Sequence, residues 1–262
     1  MTEFLAHART FLFVPGHRPD RFPKAHADVV VLDLEDAVGP GHKVAAREHV
    51  RAWLAGGHPA MVRINPPGTP WHEEDLAVAV EHGCPVMLPK AEDPAVLAAL
   101  GVSAGVVPLV ETAAGIARAA EVCAAPGVVR PAFGSVDLAA QLGVDHRSHE
   151  ALRYARSALV VAAAAAGRAA PVDGVTTALD DEDALVADLE HALTLGLTAK
   201  LCVHPRQVPV VHRRLAPTPE EVAWARGVLA AAGDGSVAVF EGQMIDRPVV
   251  LRAQAVLARA PG

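Results

Sequence analysis

Cysteine is scarce: Cys84, Cys123 and Cys202 are the whole complement of a 262-residue chain. They are odd in number and far apart, forming neither a metal-binding spacing nor a disulfide framework, so a reducing compartment is expected. Positive charge is in deficit. The chain has 23 Lys and Arg against 30 Asp and Glu, a net charge of −7 with His neutral, and a pI of about 6.0. A nucleic-acid-binding protein needs a basic face to release counterions from phosphate, and this balance argues against one. A small anionic ligand held by a local basic cluster stays open. Long apolar runs are missing too: the stretch 159–166 falls far short of the ~20 residues a membrane span needs. Residues 1–9 carry Glu3, His7 and Arg9 with no apolar h-region, so no signal peptide and a cytoplasmic location are expected. No GxGxxG or Walker loop occurs.

What is present is apolar and periodic. At 52% hydrophobic and 20% charged the chain is too apolar to be disordered. Its length lets it bury about three quarters of its unfolded surface. Short β-branched runs fall at 10–15, 29–34, 60–65, 85–89, 105–110, 128–133, 171–175 and 200–203. Segments with helical spacing lie between them at 44–54, 73–81, 95–100, 114–123, 150–166 and 184–195. Val29-Val30-Val31-Leu32 is apolar without alternation, as in a strand covered on both faces of a parallel sheet. Eight such alternations predict a closed (β/α)₈ TIM barrel over 1–216, with a doubly wound open sheet as its competitor. The rhythm then changes into a C-terminal helical extension, 217–262, too short for a second globular domain and suited to cover a barrel mouth or pack on another subunit. Thr218 and Glu221 read as a capping box opening a helix to about Ala232. Gly233-Asp234-Gly235-Ser236 ends that helix. A run at 237–240, a turn at Glu241-Gly242 and a last apolar helix to Ala260 follow.

Barrel chemistry sits at the carboxyl ends of strands. The residues expected there are His17 and Arg18, Asp33, Glu35 and Asp36, Arg63 and Asn65, Lys90 and Glu92, Glu111, Ser135 and Asp137, Asp173, and His204. Glu111 and Asp137 end adjacent strands, and two converging carboxylates suit Mg²⁺, which takes oxygen ligands and keeps waters. Each is alternatively a helix cap. Arg63 ends a buried strand and must be paired. Its planar fork suits a keto-acid carboxylate, or Asp33, Glu35 or Asp36, or both in turn. Lys90 is either a Schiff-base amine or an ion-pair partner of Glu92 or another mouth carboxylate. The surrounding acids favour the ion pair and hold its pKa up. Arg9, His17, Arg18, Arg21 and Lys24 form a local basic excess that suits phosphates or a solvated face. His204 suits acid/base work or, better, a structural hydrogen bond.

At these residues the chain resembles the citrate lyase β-subunit-like branch of the HpcH/HpaI aldolase superfamily. The resemblance rests on an ordered set. It comprises Arg9-Thr10-Phe11-Leu12-Phe13-Val14-Pro15-Gly16, Asp33-Leu34-Glu35-Asp36-Ala37-Val38, Val62-Arg63-Ile64-Asn65, Leu88-Pro89-Lys90-Ala91-Glu92 and Glu111-Thr112-Ala113-Ala114-Gly115. It continues with Phe133-Gly134-Ser135-Val136-Asp137-Leu138-Ala139, Lys200-Leu201-Cys202-Val203-His204-Pro205 and Gly242-Gln243-Met244-Ile245-Asp246. The resemblance implies a TIM barrel, a homotrimer or hexamer, Mg²⁺ (or Mn²⁺), and a CoA thioester with a 2-oxo acid as ligands. It implies Glu111 and Asp137 as metal ligands and Arg63 as the carboxylate-binding group. Gly134 and Ser135 would bind substrate, with Arg18 and Lys24 near CoA. Glu35, Asp36 and Asp246 would join Arg63 in catalysis, Asp246 being donated by a neighbouring subunit. Related hydroxy-oxo-acid aldolases carry a histidine where this chain has Asp36, which favours a CoA lyase over a CoA-independent aldolase. A citrate lyase β-type subunit needing an acyl-carrier partner and a malyl-CoA thioesterase are the other readings.

Overall fold

Eight of the β-branched runs become the staves of one closed sheet. In the computed structural model, which describes residues 2–232 and 238–258, a short helix α1 (Thr2–His7) precedes β1 (Thr10–Pro15), β2 (Val29–Asp33) and α2 (Lys43–Ala55). Then come β3 (Met61–Arg63), α3 (His72–Glu81), β4 (Val86–Leu88), α4 (Pro94–Ala99), β5 (Val106–Val110), α5 (Ala113–Ala117) and α6 (Ala119–Ala124). The circle is completed by β6 (Ala132–Phe133), α7 (Ser135–Leu142), α8 (His149–Ala165), β7 (Val172–Asp173), α9 (Glu182–Leu195) and β8 (Ala199–Cys202). Every neighbouring pair is parallel, and β8 closes on β1 with Thr10 opposite Lys200. The expected (β/α)₈ barrel is the observed fold.

Alternation along the strands sorts their side chains. Phe11, Val31, Met61, Met87, Val107, Leu109, Ala132, Val172 and Leu201 fill the barrel interior. The intervening Leu12, Leu32, Val62 and Val86 are equally buried, on the face that strands in a (β/α)₈ barrel turn to the helices. The predicted helix at 114–123 is two helices, divided at Arg118, whose guanidinium reaches the Glu92 carbonyl and Glu121. No α-helix follows β1: Pro19 and Pro23 sit in a 3₁₀ segment, Pro19–Lys24, because proline removes the donors an α-helix needs.

The helix α1, which the sequence pattern did not mark, closes the amino-terminal end of the barrel. Its Leu5, with Ala8 just beyond it, joins the interior cluster. Arg130 is wholly buried and donates to Leu5, Ala6 and Ala8 carbonyls at 3.3, 3.3 and 2.8 Å, tying down the carbonyl end of α1. It also donates to the Ala170 carbonyl and Thr198 Oγ1. Burial without a carboxylate partner lowers its pKa to about 10. A cavity of about 610 Å³ lies at this same end, beside the starts of β2, β3 and β4, lined by Phe22, Trp53, His58 and Cys84 among others. All three cysteines are unpaired and buried.

The chain divides into two compact units, Met1–Val211 and His212–Gly262. After β8 come α10 (Gln207–Leu215), α11 (Pro219–Ala232), β9 (Ala238–Phe240), β10 (Gln243–Ile245) and α12 (Arg247–Leu257). The capping box is formed: Thr218 N donates to Glu221 Oε2 at 2.8 Å and Glu221 N to Thr218 Oγ1 at 3.2 Å. Glu241 and Gly242 both have positive φ, the two-residue turn that matches strand twist, and it closes an antiparallel β9–β10 hairpin. The strand β10 was not expected from sequence, which led directly into the last helix. Ala225, Val228, Ile245, Ala253 and Val256 form this unit's own core. Gly233-Asp234-Gly235-Ser236, Val237 and the expected helix end at Ala260 lie outside the described residues. No described helix is long and apolar enough to cross a membrane.

Candidate active site

The carboxyl ends of β2 to β5 bring acids from β2 and β5 against cations from β3 and β4 around the barrel mouth. Asp33, the last residue of β2, is fully buried. Its Oδ1 accepts the Glu35 N–H at 2.9 Å and its Oδ2 the Ala37 N–H at 3.2 Å, which fixes the carboxylate plane. Arg63 ends β3 directly opposite Asp33. Its Nε and Nη2 donate to the two Asp33 oxygens at 2.7 and 2.6 Å, a bidentate fork. Its guanidinium also lies over the Phe13 ring, 4.7 Å from the centroid. Nη1 stands 2.9 Å from Glu35 Oε2 at ion-pair distance but without hydrogen-bond alignment, so Oε2 has no donor of its own. Burial works to lower the Arg63 pKa, but Asp33 and then Glu35 outweigh it and hold the guanidinium charged.

Lys90 continues the series from β4. Its Nζ is 2.7 Å from Glu35 Oε1 and 3.8 Å from Glu111 Oε1. Burial opposes its charge, but Glu35 and Glu111 raise its pKa, so it is an ion-pair lysine, not a lowered amine poised for Schiff-base chemistry. Its backbone is left-handed, φ 51°, unusual for a residue with a side chain. In that conformation its N–H donates to Glu111 Oε1 at 2.9 Å.

Glu111 follows β5 and is only 2% exposed. It is not a cap: Thr112 Oγ1 accepts the Gly115 N–H and caps α5. Burial, then the charges of Asp137 and Glu35, push its pKa up to about 8. Asp137 is exposed in the first turn of α7, whose N-cap is Gly134. Neither carboxylate therefore has the capping role that competed with metal binding. Burial also raises the Glu35 pKa, against the pull of Arg63 and Lys90. Asp36 is exposed on the turn after β2, close enough for its charge to act on Glu35, Arg63 and Lys90.

The donor set fits one hard cation. Asp33, Glu35, Asp36, Glu111 and Asp137 outnumber Arg63 and Lys90, and Glu111 is buried beside a second acid with one backbone N–H and a 3.8 Å ammonium contact to compensate it. Among the described residues no group of three or more His, Cys, Asp or Glu is placed to hold a metal ion by itself. Two carboxylates with positions left open are what Mg²⁺ with substrate and water requires.

Small residues clear space beside these acids. A Cβ on Gly134 would stand 2.2 Å from Glu111 Cβ and 2.6 Å from Oε2. One on Gly174 would stand 2.4 Å from Ser135 Oγ, a buried hydroxyl with no protein partner. Gly134→Ala is expected to lower turnover about a hundredfold by displacing the Glu111 side chain, with the barrel's far-UV circular dichroism retained.

A second buried network braces the loop carrying Glu35. Lys43 Nζ donates to the carbonyls of Leu34 and Glu35 and to Asn65 Oδ1 at 2.7, 2.8 and 2.7 Å. Asn65 in turn donates to Asp75, which pairs with Arg47. Burial lowers the Lys43 pKa. Sequence reasoning missed Lys43, Arg47 and Asp75, because their partners come from other segments of the chain and leave no local signal.

One residue expected at the mouth lies elsewhere, and others are held by local partners. Asp173 was placed at the mouth, but it is buried among Lys200 and Arg156 at 2.8 and 2.7 Å, on the helix side of β7, while Val172 points inward. Alternation explains the correction: one residue's shift reverses the face. Arg18 is bound to Asp20 at 2.9 and 3.0 Å, and Lys24 is exposed at the end of the 3₁₀ segment. His204 Nδ1 accepts the Arg206 N–H at 3.2 Å, the structural role preferred from sequence. In the second unit Asp246 is exposed and caps α12, accepting the Val249 N–H at 3.3 Å.

The signature described as HpcH/HpaI aldolase/citrate lyase matches residues 9–205, the stretch that builds this mouth. The chain belongs to the HpcH/HpaI aldolase/citrate lyase family. Within it, the chain is 41% identical over 260 residues to a citrate lyase subunit beta-like protein of Mycobacterium tuberculosis, covering 95% of this chain and 94% of that one. It is 32% identical over 268 residues to a (3S)-malyl-CoA thioesterase of Cereibacter sphaeroides, covering 96% and 94%. The crystal structure of the M. tuberculosis protein CitE in complex with magnesium, acetoacetate and coenzyme A superposes with a TM-score of 0.83 at 39% identity, covering 97% of this chain and 98% of that one. Another crystal structure, of the M. tuberculosis citrate lyase beta subunit complexed with oxaloacetate and magnesium, gives a TM-score of 0.72 at 37% identity and covers 82% of this chain. These relatives support the citrate lyase β-subunit-like branch of the HpcH/HpaI family.

Proposed function

We propose that this chain is a Mg²⁺-dependent carbon–carbon lyase. Its substrate is a 3-hydroxyacyl-CoA thioester of the citramalyl-, malyl- or citryl-CoA kind, split into acetyl-CoA or another acyl-CoA and a 2-oxo acid, or made by the reverse condensation. The observation that carries this reading is the buried Glu111, pushed up to about 8 beside Asp137, in a mouth where Arg63 is already fixed by Asp33. Relatives that bind magnesium with acetoacetate and coenzyme A, or with oxaloacetate, support it.

Glu111 and Asp137 would hold the cation. When bound, it supplies electrostatic stabilisation of negative charge on the keto or alkoxide oxygen. Arg63 keeps Nη1 free of Asp33 and orients the carboxylate of the oxo-acid half. Asp33 and Glu35 prevent the guanidinium from turning away. Cleavage takes the proton from the 3-hydroxyl, breaks the C2–C3 bond of the acyl chain, and leaves the electron pair on the thioester α-carbon. That carbon takes a proton to become the acyl-CoA methyl or methylene. Asp246, donated by a neighbouring subunit of a homotrimer or hexamer, would move that proton, with Asp36 in the position that carries a base in the aldolases. Gly134 and Ser135 leave room for the substrate, and Arg18 and Lys24 attract the CoA phosphates.

A panel of CoA thioesters assayed with Mg²⁺ and with EDTA tests this. Acyl-CoA and oxo acid should appear only with metal; metal-independent turnover contradicts the proposal. Free CoA with a free hydroxy acid would instead assign a thioesterase, the reading that the 32% identical Cereibacter relatives favour. A CoA-independent rate on free hydroxy-oxo acids, untouched by Arg18→Ala, would assign an aldolase. Inactivity on free thioesters with activity on an acyl-carrier partner would assign a citrate lyase β-type subunit.

A further inference from the structure

We infer that Lys90 is a positioning residue that keeps Glu35 away from the divalent cation and so holds coordination positions open for substrate. This rests on the proposal that Glu111 and Asp137 hold that cation. One ammonium nitrogen reaches both buried acids, at 2.7 Å from Glu35 Oε1 and 3.8 Å from Glu111 Oε1. It therefore pairs with Glu35, an acid whose charge acts on Glu111, while still contacting the candidate metal ligand itself. Glu35 is 3% exposed, and its second oxygen already lies against the Arg63 guanidinium. With both oxygens facing cations of the protein, it has no reason to turn toward a metal.

The backbone contributes separately. The left-handed Lys90 directs its N–H onto Glu111 Oε1. Holding one oxygen of Glu111 complements Gly134, whose missing side chain lets Oε2 and the rest of the Glu111 side chain pack against its backbone. The strained conformation is over-determined by its surroundings: Ala91 N donates to the Leu109 carbonyl at 3.1 Å, and a Cβ on Gly115 would stand 2.6 Å from the Ala91 carbonyl. Backbone and side chain of one residue thus sort two neighbouring acids. Glu111 is presented and Glu35 is withheld.

Without the ammonium, Glu35 becomes a third carboxylate within reach of the cation, and a positive charge beside the cation is gone. Both changes strengthen metal binding, and the first closes positions that the oxo acid and water occupy. A catalytic metal site needs such open positions.

The test is Mn²⁺ binding to the full-length protein, read by electron paramagnetic resonance, together with water-proton relaxation of the bound ion. Lys90→Met is expected to bind Mn²⁺ about tenfold more tightly and to show fewer exchangeable waters on it. Pyruvate should then perturb the Mn²⁺ signal less than in the wild type. Adding Glu35→Gln to Lys90→Met should restore the wild-type relaxation. Lys90→Arg, which keeps the charge, should stay close to wild type and controls for folding. Unchanged or weaker Mn²⁺ binding with unchanged relaxation in Lys90→Met overturns this role. Absence of Mn²⁺ binding in the wild type would defeat the metal-site proposal itself.

Discussion

Glu111→Gln is expected to cut kcat/KM by on the order of a thousandfold while raising the melting temperature of the metal-free protein at alkaline pH. Both effects come from one carboxylate. Glutamine keeps the shape and still accepts the Lys90 N–H, but removes a charge that the proposed cation needs. Folded Glu111 holds its proton up to about pH 8, because of burial first and then the charges of Asp137 and Glu35. In the unfolded chain a glutamate releases its proton near 4.3. An acid whose pKa is raised by folding contributes stability at low pH and loses it as pH climbs through the folded value. The wild type should therefore weaken between about pH 4 and 8 relative to the variant. The two melting curves should meet near pH 4 and stand furthest apart near pH 9. Saturating Mg²⁺ should reverse the order, since it stabilises only the chain that binds it. Thermal melts of both proteins across pH, with and without Mg²⁺, check this. A variant less stable than wild type at pH 9 without metal would show that Glu111 is a structural acid.

Arg63→Met is expected to cost about 3–5 kcal/mol of stability, because it strands a buried carboxylate. It should also lower kcat/KM by roughly 10²–10³-fold through loss of the group facing the oxo acid. Asp33 would be left with two backbone N–H donors and no cation, at zero exposure. Adding Asp33→Asn should recover much of the stability and none of the activity. Arg63→Lys should stay impaired, since a single ammonium cannot span both Asp33 oxygens and still face outward. Urea unfolding and oxo-acid binding in the presence of Mg²⁺ measure the two effects separately. Recovery of activity in the double variant would mean that Arg63 serves only to neutralise Asp33.

The barrel was legible because each stave is a short apolar run, and because Val29-Val30-Val31-Leu32 could be covered only on both faces. That Arg63 needs a partner was legible for a related reason: a guanidinium ending a buried strand demands one, with Asp33, Glu35, Asp36 and a keto-acid carboxylate all open, and the bidentate choice of Asp33 needed the structure. What stayed hidden depends on distant residues or on short spans. The helix α1 has six residues, too few for a periodic signal, and Arg130, more than a hundred residues away in sequence, holds it in place. Lys43 and Asp75 look like ordinary helix-surface charges until Asn65 meets them. Asp173 was assigned to the wrong face because the expected run 171–175 did not show which of its residues turn inward, and in the short strand Val172 does. The left-handed conformation of Lys90 leaves no trace in residue type, since glycine would have been the expected occupant. The strand β10 is equally hidden, because Gln243, Met244 and Ile245 gain their pairing only through the turn at Glu241 and Gly242.

Mn²⁺-soaked crystals examined by anomalous scattering test the metal site most directly. One strong peak per barrel, contacting Glu111 and Asp137 with Arg63 nearby, is the predicted result. No peak at millimolar Mn²⁺, or a peak that leaves those two carboxylates turned apart, would contradict it.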